Sequence, residues 1–174
     1  MRRIAFIAVT AVVLMFGGNN VFAQGKYGAD SAECIKYLSY YKEYFKSKNY
    51  DAALPNWRKA YKLCPPTANQ TMLIDGTTLI RRVISKNASN DEYRNALVDT
   101  LINLHKVRAQ YYGKYKVTAL NNMALDMANY YKSTPAQLHA GLTEVINENK
   151  EQTRPSILPI DLNAAVQLYQ NSEL

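Results

Sequence analysis

Apolar residues recur every three or four positions along most of the chain, and this period limits the fold more than any other feature. Between residues 91 and 112, for example, the pattern runs through Leu97, Leu101 and Leu104. This spacing places side chains on one face of an α-helix, and no segment shows the sustained alternation typical of a strand. Short polar or proline-containing breaks separate the periodic segments, so consecutive helices should lie antiparallel. The sequence therefore predicts an all-α fold.

Seven helices are predicted from these segments and breaks. They cover residues 31–47, 51–63, 68–85, 91–112, 116–131, 135–150 and 161–174. Pro55 fits the second helix only in its first turn, where backbone N–H groups have no helical partner. Thr134 and Pro135 indicate the N-cap and first residue of the sixth helix. Pro155 and Pro159 are expected to frame a loop before the seventh.

The first 23 residues have the three-part pattern of a secretory signal peptide. Arg2 and Arg3 form a basic start, an apolar run covers residues 4 to 16, and Val-Phe-Ala at residues 21 to 23 suits a signal peptidase. A transmembrane anchor is the alternative, but the run is shorter than the roughly 20 residues a span needs. We therefore expect an exported mature domain of residues 24–174 without an integral membrane segment. Its expected location is the periplasm, with full secretion as the alternative.

The charge of the chain is moderately positive. The formal net charge is +7, and removal of Arg2 and Arg3 with the signal peptide leaves +5. This excess favours acidic partners only weakly. The lysines and arginines are spread along the chain without a basic block, so nucleic-acid binding is not expected.

The chain has two cysteines, Cys34 and Cys64. An exported chain meets an oxidising environment, so an even pair is a disulfide candidate. Cys34 falls near the start of the first predicted helix and Cys64 at the end of the second, and these ends are neighbours in an antiparallel pair. A disulfide is therefore predicted, with two buried free thiols as the alternative.

Residues 34 to 66 combine large and small side chains at a spacing that suits two closely crossing helices. The segment also carries Asn49, Tyr50 and Asp51 at the turn. It resembles the tetratricopeptide repeat, a 34-residue helix–turn–helix unit. The resemblance assigns repeat-packing roles to Tyr37, Tyr40, Tyr41, Tyr44, Ala53, Trp57, Ala60 and Pro65. Tyr41 stands where the family has a small residue, which predicts a wider crossing or a displaced first helix.

The resemblance implies a short right-handed solenoid of stacked antiparallel helix pairs over residues 24–174. It is weaker beyond residue 66, and a generic helical bundle is the alternative. The seventh predicted helix has no following partner, although Leu162, Val166 and Tyr169 share one side of it. It is either a capping helix or a sign that the chain is the front part of a longer protein, in which Leu174 is not the natural end.

The sequence offers no pattern of catalytic or metal-binding residues. His105 and His139 are the only histidines, and neither has acidic or cysteine residues at ligand spacing. Phosphate-binding loops, nucleophile elbows and metalloprotease histidine pairs are also missing from the sequence. We therefore expect a protein that is not an enzyme and that uses neither a cofactor nor a metal.

The expected function is protein–protein interaction. In the resembled family, the first helices of successive repeats line a groove that holds a peptide or a partner helix. The expected groove residues are Ile35, Leu38, Ser39, Lys42, Phe45, Lys46, Arg81 and Arg82. Their mix of apolar and basic side chains suits a segment with acidic and apolar residues. The alternative partner is a cell-wall glycan bound by some of the 14 tyrosines.

Overall fold

The computed structural model describes residues 25 to 172, and the predicted signal peptide lies outside them. Over the described residues the chain is all-helical, which confirms the predicted fold class. The α-helices are α1 (Ser31–Lys46), α2 (Tyr50–Leu63), α3 (Gln70–Lys86), α4 (Asp91–Tyr111), α5 (Lys116–Tyr130), α6 (Pro135–Asn149) and α7 (Ile157–Ser172). Single-turn 3-10 helices lie in the connections at Pro66–Ala68, Gly113–Tyr115 and Lys150–Gln152.

The helices stack in the order in which they occur along the chain. Each packs mainly against its sequence neighbours, and α5 makes a smaller contact with α7. Buried side chains from all seven form one continuous apolar core. This order of contacts matches a helical-repeat architecture.

Asparagines begin three of the helices. The side-chain oxygens of Asn49, Asn69 and Asn90 accept hydrogen bonds from backbone N–H groups three residues later, at 3.3, 3.3 and 3.0 Å. Each bond satisfies one of the N–H groups that a helix start leaves without a helical partner. The N-cap of α4 is therefore Asn90, and Asp91 is the first helical residue, where its charge favours the positive end of the helix.

The structure confirms the predicted position of one proline and contradicts that of two. Pro135 is the first residue of α6, as predicted. Pro55 is the sixth residue of α2, so its placement in the first turn was wrong; it is exposed, and water can bind the carbonyl that lacks a helical donor. α7 begins at Ile157, so Pro159 lies inside its first turn rather than in a loop. The first N–H groups of a helix need no helical acceptor, which makes proline tolerable there.

α1 and α2 form an antiparallel pair, which we call the N-terminal hairpin. The turn between them is a Schellman motif, in which the Lys48 N–H donates to the Phe45 carbonyl at 3.0 Å and the Asn49 N–H to the Tyr44 carbonyl at 2.9 Å. Lys48 has a φ of 59°, in the left-handed region that glycine usually occupies at this position. The turn brings the start of α1 beside the end of α2.

A disulfide between Cys34 and Cys64 closes the open end of the N-terminal hairpin. Both cysteines are buried, and their Cα atoms lie 5.1 Å apart. Cys34 is in the first turn of α1, and Cys64 caps the end of α2. The predicted pairing is confirmed, and the alternative of two free thiols is wrong.

Trp57 joins the N-terminal hairpin to α3. Its indole is almost completely buried, and its Nε1–H donates to the Met72 carbonyl at 2.8 Å. Gly76 of α3 makes room for the ring, because a Cβ atom at this position would lie within 2.4 Å of Cζ2 of Trp57. Tyr61 stacks on the indole with its ring centroid 5.2 Å away. The large-against-small contact in this part of the fold is therefore Trp57 on Gly76.

Only part of the residue set that the repeat resemblance assigned to the helix contact is buried. The buried members of the set are Tyr41, Ala53, Trp57 and Ala60. Tyr37 and Pro65 are partly buried, whereas Tyr40 and Tyr44 are 47% and 41% exposed. The expectation that Tyr40 and Tyr44 fill the contact was wrong, because α1 directs Tyr41 into the core instead.

α7 packs mainly against α6 and has one buried and one exposed side. It is held to α6 by a hydrogen bond of 2.8 Å between His139 Nδ1 and Asp161 Oδ1. On the opposite side, Leu158, Leu162 and Val166 are exposed. The outer face of α7 is therefore apolar, unlike the polar closing face expected of a capping helix.

Candidate functional site: a polar cluster and the pocket beside it

Three polar side chains from different helices meet in the middle of the fold, and we call them the central cluster. The Asp126 carboxylate of α5 accepts two hydrogen bonds from Arg81 of α3, from Nε at 2.9 Å and from Nη2 at 2.8 Å. His105 Nε2 of α4 lies 2.7 Å from the same carboxylate. The planar arginine fork matches the carboxylate in the strongest geometry available to such a pair. The central cluster therefore ties α3, α4 and α5 together.

Burial and charge act on Asp126 in opposite directions. Burial alone would raise the pKa of Asp126, but the hydrogen bonds from His105 and Arg81 outweigh it and hold the pKa below its ordinary value. Asp126 therefore stays ionised and balances the charge of Arg81. His105 is 3% exposed, and its Nδ1 is enclosed without a hydrogen-bond partner among the described residues. No hydroxyl or thiol of residues 25–172 forms a hydrogen bond with Nδ1, so the Asp–His pair has no hydrogen-bonded nucleophile among them.

Sequence reasoning missed the central cluster. Asp126 lies 21 residues from His105 and 45 from Arg81, and such separations leave no local pattern. One signal was present: Asp126 is the only charged residue between Lys116 and Lys132. A lone carboxylate in an otherwise apolar and amide-rich helix needs a partner, because a buried charge is costly unless it is paired.

A pocket of about 290 Å³ lies between α3, α4 and α5, beside the central cluster. Its lining residues are Ile74, Thr77, Thr78, Arg81, Leu104, His105, Arg108 and Asn122. Arg81 is already engaged, because its Nη1 also donates to the Thr77 hydroxyl at 3.2 Å. Arg108 is different, since it forms no ion pair within residues 25–172. The pocket therefore combines hydrogen-bond donors with one positive charge that no carboxylate balances.

Arg108 is a partly buried cation whose surroundings disfavour its charge. Its Nε is enclosed and has no hydrogen-bond acceptor among the residues that the structure describes. Burial lowers the pKa of Arg108 below its usual value, opposed only by the nearby Tyr115. The Tyr115 ring lies 5.5 Å from the guanidinium carbon, a cation–π distance that offsets part of the cost.

The predicted groove residues fall into two groups. Ile35, Ser39 and Lys46 are exposed along one side of α1, and Lys42 is partly exposed on the same side. Leu38 is buried and cannot contact a partner, so its place in the groove was wrong; it lies on the face that α1 turns towards α2.

The remaining predicted groove residues make contacts within the fold. Phe45 packs edge-on against Tyr50 with ring centroids 5.2 Å apart. Arg82 lies over the Tyr50 ring at 5.4 Å and 3.9 Å from the Asp51 carboxylate. Arg81 belongs to the central cluster and lines the pocket.

The exposed side of α1 continues onto α3. Asp75 of α3 is partly buried, and burial raises its pKa, while the nearby Tyr41 hydroxyl and the charge of Lys42 act against that rise. Lys42 of α1 therefore faces Asp75 of α3. Ile74, the neighbour of Asp75, is exposed and lines the pocket. A surface thus runs from Lys46 and Lys42 across α3 to the pocket.

The tyrosines divide between core contacts and surface. Tyr112 is partly buried and donates to the Pro66 carbonyl at 3.0 Å. Tyr131 packs against the core and lies 3.5 Å from the Asp99 carboxylate. Exposed tyrosine rings lie on α1, on α4, in the turn after α4 and on α7; they are Tyr40, Tyr44, Tyr93, Tyr111, Tyr115 and Tyr169.

Two further findings concern metals and membranes. Between residues 25 and 172, no group of three or more His, Cys, Asp or Glu side chains could hold a metal ion. Within the same range, no helix has both the length and the apolar content needed to cross a bilayer.

Comparison of the chain with protein-family models, curated proteins and solved structures finds no match.

Proposed function

We propose that the chain is an exported scaffold of the tetratricopeptide-repeat type that binds an acidic, partly apolar segment of a partner protein. Its helices stack in sequence order, as the repeats of such scaffolds do. The buried disulfide supports folding in an oxidising compartment, in keeping with a signal peptide at residues 1–23. The proposed setting is the periplasm, in assembly or transport of envelope components.

The surface that runs from α1 to the pocket carries this proposal. Lys42 and Lys46 make no ion pair with any residue of the described chain, and Ile35 and Ile74 are exposed beside them. Basic and apolar side chains on one surface suit an amphipathic acidic segment, which would supply both charge and apolar contact. Lysines that are not held in an ion pair also speed the approach of such a partner at low salt.

The test is affinity capture of the tagged, oxidised protein from a cross-linked envelope fraction, with bound proteins identified by mass spectrometry. Lys42→Glu combined with Lys46→Glu should abolish capture of a genuine partner, because the surface then repels acidic groups. The matched control is Lys59→Glu with Lys62→Glu, which makes the same charge change on the exposed side of α2. Equal loss of capture in both double variants would argue against the α1 surface.

A glycan-binding module is the second candidate, and the exposure of Tyr40 and Tyr44 favours it. These rings lie on the surface of α1 rather than in the helix contact, so they can stack on sugar rings. Co-sedimentation with purified peptidoglycan, compared between the parent protein and Tyr40→Ser with Tyr44→Ser, tests it. Failure of the parent protein to co-sediment would remove this candidate.

A further inference from the structure

The pocket between α3, α4 and α5 has the composition of an anion site with one net positive charge. Asp126 balances Arg81, so this ion pair adds little net charge to the pocket. Arg108 then remains as the unbalanced cation of the pocket. Burying a cation without a partner is unfavourable, and a bound anion would recover that cost. The charge count points to a ligand that carries a single negative charge.

The shape of the available donors distinguishes between anions. The Arg108 guanidinium has five N–H donors in one plane, and none is used in a hydrogen bond within the described chain. A planar fork of this kind pairs with a carboxylate through two parallel hydrogen bonds. Thr78 and Asn122 line the same pocket and can add neutral hydrogen bonds. A carboxylate matches this set in both charge and geometry.

The pocket wall also has an apolar part. Ile74 contributes an exposed aliphatic side chain to it, whereas the lining residue Leu104 is fully buried. A volume of about 290 Å³ is at the lower end of the range for ligand pockets, so the space admits a small molecule or the end of a larger one. An aliphatic group attached to the carboxylate would bury its surface against Ile74.

We propose that this pocket binds the carboxylate of a small monoanionic ligand with a short aliphatic tail, and that Arg108 is its principal binding residue. The planar carboxylate pairs with the Arg108 fork, and the tail lies against Ile74. Arg81 holds its position through Asp126 and presents its remaining N–H groups to the same space. A free acid is sufficient to test this pocket. The result is therefore independent of whether a partner protein binds the surface of α1.

The experiment is a titration of the purified, oxidised protein with hexanoate, with hexanamide and with inorganic phosphate. Calorimetry measures affinity, and the NMR signals of the arginine Nε–H groups report which arginine is engaged. Hexanoate should bind and shift the Arg108 signal. Hexanamide should bind about tenfold or more weakly, since it loses the charge-assisted hydrogen bonds. Equal affinity for the amide, tighter binding of phosphate, or no binding of hexanoate would overturn the proposal.

Two arginine variants on α4 complete the test. Arg108→Gln should weaken hexanoate binding by about tenfold or more. It should fold at least as well as the parent, because it removes a partly buried cation without a carboxylate partner. Arg94→Gln is the matched control, since Arg94 lies outside the pocket and pairs with Asp91 at 3.1 Å. Unchanged affinity in Arg108→Gln, or equal loss in Arg94→Gln, would contradict the assignment.

One further ligand series distinguishes a carboxylate at the end of a peptide from a free acid. A short acidic peptide that ends in an aliphatic residue should compete with hexanoate if the carboxylate belongs to a peptide terminus. The same peptide with a C-terminal amide is the control. Competition by hexanoate analogues but not by the peptide would identify the ligand as a free acid.

Discussion

The N-terminal hairpin and the three helices that follow it, α3 to α5, are stabilised in different ways. The hairpin buries apolar side chains and a disulfide, and none of its charged side chains is buried. The helices α3 to α5 share an apolar core but are also joined by the central cluster, where Asp126 and His105 are buried. The hairpin therefore depends on a covalent bond and on close packing, and α3 to α5 depend in addition on directional hydrogen bonds.

This difference determines which conditions destabilise each region. A disulfide responds to reductants but not to pH in the acidic range, whereas a buried carboxylate responds to protonation. Trp57 lies at the boundary, because it belongs to α2 and donates its hydrogen bond to α3. Substitutions can therefore be chosen that affect the hairpin, the boundary or the central cluster separately.

The largest effect is expected at the boundary. Trp57→Ala should lower the free energy of unfolding by about 4 kcal/mol, because it leaves a large cavity against Gly76 and an unused Met72 carbonyl. Urea denaturation followed by circular dichroism measures it. Trp57→Phe keeps most of the apolar volume and should cost clearly less. Equal losses in both variants would mean that the hydrogen bond, rather than the packing, holds the boundary.

Loss of the disulfide should have the next largest effect. Cys34→Ser with Cys64→Ser should lower the free energy of unfolding by about 3–4 kcal/mol, because the unfolded chain regains the entropy of a 30-residue loop. Addition of dithiothreitol to the parent protein should produce a similar loss, and it should leave the double variant unaffected. A reductant effect of equal size in the double variant would contradict this account.

The central cluster should give a smaller and pH-dependent effect. Asp126→Asn should cost about 2–3 kcal/mol at pH 7, below the value for a fully buried pair because Arg81 is 38% exposed and can regain water. The depressed pKa of Asp126 means that its contribution is complete above the ordinary carboxyl pKa of about 4.

That contribution is lost as the pH falls through the lower pKa of the folded state. The difference in stability between the parent and Asp126→Asn should therefore shrink below pH 4 and should be nearly constant from pH 5 to pH 7. Urea midpoints of both proteins over this pH series measure it, with Asp99→Asn of α4 as a control for removal of a more exposed carboxylate. A difference that does not change with pH would show that Asp126 acts through its shape alone.

Two helical glycines allow a matched comparison between the Trp57 boundary and the contact of α5 with α6. Gly76→Ala should cost about 1–3 kcal/mol, because the new methyl group would meet the rigid indole ring of Trp57. At Gly141 of α6 the methyl group would meet the flexible side chain of Met127, which can move aside. Gly141→Ala should therefore be near neutral, helped by the better helix propensity of alanine. Thermal midpoints of the two variants decide the comparison, and equal losses would contradict it.

The smallest effect is expected at the turn of the hairpin. Lys48 has a left-handed backbone conformation, which an L side chain adopts at some cost. Lys48→Gly should raise the free energy of unfolding by up to about 1 kcal/mol, because glycine is the usual residue at this position of a Schellman motif. Lys46→Gly, at the last residue of α1, should instead destabilise the protein slightly, because Lys46 keeps helical geometry; both changes can be measured in urea.

The sequence predicted the helices and the disulfide because both leave local or pairwise signals. Apolar period and breaks such as Pro135 mark helices, and an even cysteine pair in antiparallel helices marks a disulfide. The start of α7 was placed four residues late, since a proline in the first turn gives the same signal as a loop. Tyr40 and Tyr44 were wrongly assigned to the helix contact because the chain has fourteen tyrosines. Several alignments of the repeat motif therefore satisfy the same spacing.

The candidate site was much less predictable than the fold. The central cluster joins residues from three helices, and its partners are fixed only when the helices are packed. Arg108 looked like any surface residue of a helix, because the absence of a carboxylate partner can be seen only in three dimensions. Gly76 gave a usable signal, since a glycine within an apolar helix often marks close approach by a large side chain.

The disulfide also determines how the molecule would respond to mechanical tension. A force applied to the two ends of the chain passes directly from Cys34 to Cys64, so the residues between them carry none of it. In a single-molecule pulling experiment, the oxidised protein should therefore extend less than the reduced protein by roughly 100 Å of contour length, given a sequence separation of 30. The N-terminal hairpin is thus shielded from stretching, and the oxidised protein pulled from its two ends would lengthen mainly through the helices that follow the hairpin.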